Sequence, residues 1–92
     1  MNVHNWSNRI DLGEYLRAER EAKSISRQDM ANTLNVSVPY LSLLERGGIV
    51  SPGVRVLRLI AEQYNLGFDE LVDTYYPVKK EERSPRGRKV AV

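Results

Sequence analysis

Ninety-two residues, 41% apolar and 28% charged, describe one small domain, because a chain this short buries only about two thirds of the surface it exposes when unfolded and has no room for a second core. The absence of cysteine excludes a disulfide framework and thiolate metal sites, and no apolar run approaches the roughly 18 residues of a membrane helix, so packing must hold the fold together. Charge is unevenly placed within the net +2: residues 1–76 carry 8 basic and 10 acidic groups, residues 77–92 carry 6 and 2, so any polyanionic partner has to be met by a few cations on one face or by the tail.

Residues 1–10 are polar, lack a period and read as an arm without a secretory signal, which makes the cytoplasm the expected compartment; Trp6 is the only large aromatic group among them. Asp11 is expected to cap a first helix over 12–23, with Leu12, Tyr15, Leu16 and Glu19 on one face. Ser26 followed by Asp29 is a short form of the capping box and predicts a second helix to Leu34, with Met30, Ala31 and Leu34 facing one side. Asn35, tolerant of positive φ, marks a sharp turn.

Ser37 caps a third helix over 38–46, where Pro39 suits the first turn, Leu41 and Leu44 point inward, and Gly47-Gly48 ends it. Ser51-Pro52 is expected to open a fourth helix to Tyr64, with Val56, Leu57, Ile60, Ala61 and Tyr64 inward. After the break at Asn65-Leu66-Gly67, a fifth helix runs over 68–75 with Phe68, Leu71 and Val72 apolar, Asp69 and Glu70 near its positive end, and Pro77 as its stop. The charged stretch 79–92 has no amphipathic period and is expected to be disordered. No segment alternates with period 2, so the fold class is all-α: a compact five-helix domain over 11–76 between the arm (1–10) and a basic tail (77–92).

Two helices crossing steeply over a tight turn place demands at fixed offsets, and residues 27–46 meet them. Ala31 is the small residue at the crossing, Asn35 supplies the turn four residues later, and Val36, Leu41 and Leu44 anchor the following helix. This helix-turn-helix, with Leu16-Arg17, Arg20, Ser26-Arg27-Gln28-Asp29-Met30-Ala31, Val36-Ser37, Tyr40-Leu41-Ser42-Leu43-Leu44-Glu45-Arg46-Gly47 and Leu66-Gly67-Phe68-Asp69-Glu70-Leu71, resembles the phage lambda repressor and Cro-like helix-turn-helix family over residues 12–71.

That resemblance implies a five-helix fold whose third helix enters the major groove of double-stranded operator DNA, with Val38, Pro39, Ser42 and Leu43 facing base edges. The chain departs from its relatives here, which carry Gln, Arg, Ser or Thr at several of these places. Val38, Pro39 and Leu43 offer only apolar contact, so thymine methyls or DNA shape are the expected determinants; the alternative is that these residues face a protein. Phosphate contacts are expected from Arg27, Gln28, Ser37, Tyr40, Arg46 and the Gly47-Gly48 backbone, with a solvated, dipole-favoured cation as the other reading of Arg46. Arg20 and Glu45 are implied to form a supporting ion pair, and His4, alone in the arm, is expected at the surface.

In the tail, Ser84-Pro85-Arg86-Gly87-Arg88-Lys89 resembles an AT-hook, in which Arg86, Gly87 and Arg88 would lie in an A·T minor groove; the alternative is non-specific phosphate affinity. The expectation is thus a DNA-binding transcriptional regulator acting as a repressor, with its own promoter as one expected target, and as a homodimer through Val72, Tyr75 and Tyr76 of the fifth helix. An antitoxin or another protein-binding helix-turn-helix module is the runner-up. No enzymatic activity, cofactor, metal or membrane association is expected, and the protein is expected to be cytoplasmic, on the nucleoid.

Overall fold

A computed structural model describes residues 6–77. They form five helices, α1 (Arg9–Ala22), α2 (Arg27–Leu34), α3 (Val38–Glu45), α4 (Val54–Tyr64) and α5 (Phe68–Tyr75), with no strand among the described residues. His4 and the Arg86, Gly87 and Arg88 segment lie outside these residues.

The inner faces follow from the helical spacing of the apolar residues. Leu12 and Leu16 of α1, Met30, Ala31 and Leu34 of α2, Leu41 and Leu44 of α3, Leu57 and Ile60 of α4 and Leu71 of α5 are buried in one core, joined by Tyr64 and Tyr75. Around it α1 packs on α3 and α5, α2 on α3 and α4, and α4 on α5. The third helix is therefore held chiefly by the first two, and its outer side is left free.

Four helix starts illustrate the reach and the limits of cap signals. Ser26 and Ser37 each accept the backbone N–H three residues on, Asp29 at 3.0 Å and Tyr40 at 3.1 Å, as the cap residues predict. The first helix, however, begins at Arg9, not Leu12: Asn8 is the cap, accepting from the N–H groups of Ile10 and Asp11 at 3.0 and 2.9 Å, and Asp11 sits in the first turn. Asn8 and Asp11 are both good caps three residues apart, and packing of the extra turn against Gly47 selects the earlier one, so the boundary drawn at residue 10 falls inside α1. The fourth helix begins at Val54 behind Gly53, not at Ser51-Pro52. Pro52 instead fills the core, and its carbonyl accepts the Tyr76 hydroxyl at 2.6 Å.

Helix ends are closed by left-handed residues. Asn35 (φ 60°) lets the Val36 N–H reach the Ala31 carbonyl, Asn65 (φ 56°) does the same for Leu66 and Ala61, and Gly47 (φ 79°) for Gly48 and Leu43. Ser24 (φ 58°) closes α1 in the same way, which a serine in that place does not announce.

Two aromatic expectations are corrected. Tyr75 is buried, only 6% exposed, because it lies on the inner face of α5 one turn beyond Leu71; it is not available to a partner subunit. Trp6 is not part of a free arm: its indole N–H donates to Thr74 Oγ1 of α5 at 3.0 Å, and its ring lies 5.0 Å from that of Tyr15 at 47°.

Candidate nucleic-acid interface

The Schellman-type close at Asn35 and the cap at Ser37 leave only three residues, Asn35, Val36 and Ser37, between the end of one helix and the start of the next, and they set α3 across α2 over the buried Ala31. With Leu41, Leu44 and Glu45 turned inward, the outward stripe of α3 is Pro39, Leu43 and the C-cap residue Arg46, flanked by half-buried Val38 and Ser42. Leu43 is 41% exposed, a large apolar side chain on a free helix face. Val38 also packs against the core. The four residues expected to face bases thus share one side of α3, with Pro39 and Leu43 the most prominent.

The expected phosphate ligands are placed less uniformly. Arg46 is exposed and has no ion-pair partner among the described residues. Gln28 is exposed on the first turn of α2 and donates to Asn32 Oδ1 at 3.2 Å. The Ser37 hydroxyl is used as the helix cap, and Tyr40 is half-buried, its phenol pushed up by burial and by neighbouring Tyr76. The Gly47-Gly48 backbone is a correction. Both N–H groups are spent on the end of α3, donating to Leu44 and Leu43 at 3.2 and 2.8 Å, and the Gly47 carbonyl accepts Arg9 Nε at 3.0 Å. A glycine pair that closes a helix has no donors left for a phosphate.

Beneath this surface lies a buried charge cluster. Arg20 meets Glu45 in a fork, Nε to Oε2 at 2.7 Å and Nη2 to Oε1 at 3.2 Å, with both side chains almost inaccessible. The remaining Arg20 nitrogen, Nη1, donates to the Ile25 carbonyl at 2.8 Å, so the guanidinium is satisfied on all sides. Hydrogen bonding to Glu45 raises the Arg20 pKa further above its ordinary value against the opposing effect of burial, which keeps the group charged at any working pH. Arg27 Nε approaches the same carboxylate at 3.2 Å while its side chain stays 43% exposed. Sequence reasoning treated Arg27 as a phosphate ligand alone; its 18-residue separation from Glu45 hid a second role, that of tying the start of α2 to the end of α3.

Gly13 was also missed, and for Tyr64 the sequence showed the inward position but not the state of its hydroxyl. A Cβ at Gly13 would stand 2.6 Å from the carbonyl oxygens of both Leu44 and Glu45, so α1 and α3 touch backbone to backbone beside the ion pair. Tyr64 OH, like Tyr75 OH, is buried with no hydrogen-bond partner, and burial is the first cause of its raised pKa, with Glu45 the second. Because an unmade hydrogen bond of a buried hydroxyl contributes an unreturned desolvation cost, Tyr64→Phe is expected to leave stability unchanged or raise it by about 1 kcal/mol, measured by urea denaturation. A loss of comparable size would place a bonded water at the hydroxyl.

The profile of the helix-turn-helix family matches residues 16–71, which contain both helices and the turn described above. A protein described as the HTH-type transcriptional regulator DdrOP3, from Deinococcus deserti, is 36% identical over 64 residues, covering 70% of this chain and 49% of that protein. The chain therefore spans about half the length of this curated relative. No solved structure matches it.

Proposed function

The chain belongs to the Cro/C1-type helix-turn-helix family of DNA-binding transcriptional regulators, and from that premise we propose that it is a repressor that reads a pseudo-palindromic operator as a homodimer. The observation that carries the reading is the free stripe of α3, Pro39, Leu43 and Arg46, set on a helix braced from behind by Arg20, Glu45 and Arg27. In this reading Val38, Pro39, Ser42 and Leu43 face base edges, Arg46 is the leading phosphate ligand, and Gln28 and the outer guanidinium nitrogens of Arg27 meet the backbone at the start of α2. In the same reading Ser37 and Tyr40 are further phosphate ligands.

An apolar reading stripe discriminates through the thymine methyl, the only apolar group on a base edge in the major groove. Sites selected from random duplexes with the full chain are expected to show thymines at fixed positions in two half-sites about one helical turn apart. Replacing those thymines by uracil removes the methyl alone and is expected to weaken binding by about fourfold per contacted base, close to the value of one buried methyl group. Unchanged affinity with uracil would move specificity to DNA shape.

Arg46→Ala is expected to weaken binding to all sequences alike and to reduce the steepness of the salt dependence by about one unit of log–log slope. A variant ending at Pro77 is expected to lose further slope but keep its sequence preference, since the six basic residues of 77–92, including Arg86 and Arg88 around Gly87, then act by charge or in the minor groove. A full chain with no preference among duplexes would favour the other reading, in which α3 docks on a protein, as in an antitoxin.

A further inference from the structure

Packing of α4 on α2 and α5 leaves one stripe of α4 open, with Val54, Arg58 and Glu62 exposed and Ala61 half-buried against the core. With Phe68 at the start of α5 these residues line an open groove of about 470 Å³. Val54 is 63% and Phe68 38% exposed, although neighbouring apolar residues of the same helices are drawn into the core. Arg58 and Glu62 stand one turn apart on this stripe, and among the described residues neither has an ion-pair or hydrogen-bond partner. No groove residue belongs to α2 or α3, so filling it leaves the reading surface open. Of the aromatic residues expected to serve a partner, Tyr75 is in the core, while Tyr76 has its hydroxyl held by Pro52 and its side chain 43% exposed.

We propose that a second copy of this chain occupies the groove, with the two α4 helices antiparallel across a two-fold axis and Arg58 of each copy paired with Glu62 of the other. The proposal rests on the dimeric reading above and names its interface. A two-fold contact brings one patch against itself, so a patch of single sign repels its copy, whereas a cation and an anion one turn apart on an apolar stripe complement each other twice. Ala61 lies between the pairs, and Val54 and Phe68 supply apolar area outside them. In this arrangement association is completed on DNA, where adjacent half-sites hold two copies at high effective concentration.

The test compares binding of the full chain to a selected duplex with two half-sites and to the same duplex with one half-site scrambled. Arg58→Glu and Glu62→Arg are each expected to bind the single half-site as the parent does and to reduce the cooperativity of the second copy at least tenfold. An equimolar mixture of the two variants restores it, because opposite charges then meet at both pairs, and so does the doubly substituted Arg58→Glu/Glu62→Arg chain. Cooperative binding by the parent that neither variant alters, or that the mixture does not restore, overturns the assignment of this face and leaves the dimer reading standing. Independent binding of the two half-sites by the parent overturns the dimer reading and this interface with it. Loss of single-site affinity with Arg58→Glu places Arg58 on the DNA and overturns the interface alone.

Discussion

Replacing Glu45 by alanine is expected to destabilise the domain by about 3–5 kcal/mol, the largest effect of any single substitution considered for this chain. The carboxylate, 1% exposed, is shared by Arg20 and Arg27, and its removal strands the Arg20 guanidinium, 6% exposed, with two of its hydrogen bonds gone. Against the roughly 5–15 kcal/mol that holds a small domain folded, that loss is a large fraction. Chemical denaturation followed by the fluorescence of Trp6, the only tryptophan, measures it directly, since the indole is anchored across to α5 in the folded state. Removing both charges has a different outcome. Arg20→Met with Glu45→Leu leaves no stranded ion, and stability is expected to return to within about 1–2 kcal/mol of the parent or above it. Arg27 then loses its tether while keeping its charge, so DNA affinity is expected to fall even where the fold is restored. Equal losses of stability in the single and double variants would show that the cluster contributes by packing and not by charge pairing.

Gly13→Ala is expected to cost about 1–3 kcal/mol, against the usual direction for a glycine inside a helix. Alanine is favoured there by about 1 kcal/mol on propensity alone. Here the added methyl would lie 2.6 Å from two backbone oxygens, those of Leu44 and Glu45, and these atoms cannot swing aside as a flexible side chain would. They are held by the buried end of α3, where the Leu44 carbonyl itself accepts the Gly47 N–H and the neighbouring Leu43 carbonyl accepts that of Gly48. The helix must therefore move away from α1, which loosens the Arg20 and Glu45 fork as well. Urea midpoints of the alanine and valine variants are expected to fall in that order; a rise with alanine would mean that α1 and α3 stand further apart.

Both sites bear on how far the chain can be read without its structure. The helix-turn-helix was legible because its signals are local: Ser26 and Ser37 bond to N–H groups three residues away, Asn35 closes a bond between Val36 and Ala31, and the inward residues repeat with the helical period. Where two local signals competed, as for Asn8 and Asp11, contact with a distant residue made the choice. Pro52 carried the same ambiguity. A proline suits the first turn of a helix, but its side chain also fits a core, and the hydroxyl of Tyr76, 24 residues away, accompanies the second use.

Of the recognition surface, the sequence determined which residues stand on the outer side of α3, since an eight-residue helix with two buried leucines leaves little freedom about its opposite face. It also determined the five helices, the caps of α2 and α3 and most of the core, all of which depend on interactions spanning one or two turns. Only the tertiary structure decided that Gly47 and Gly48 have no donors to spare, that Arg27 shares the carboxylate of Glu45, that Trp6 is pinned to Thr74, and that Tyr75 is buried while Val54 and Phe68 are exposed. Periodicity marks an apolar face but not its depth. How much of that face is covered depends on where the other helices cross it, and those crossings are set by contacts between residues tens of positions apart, which no local pattern encodes.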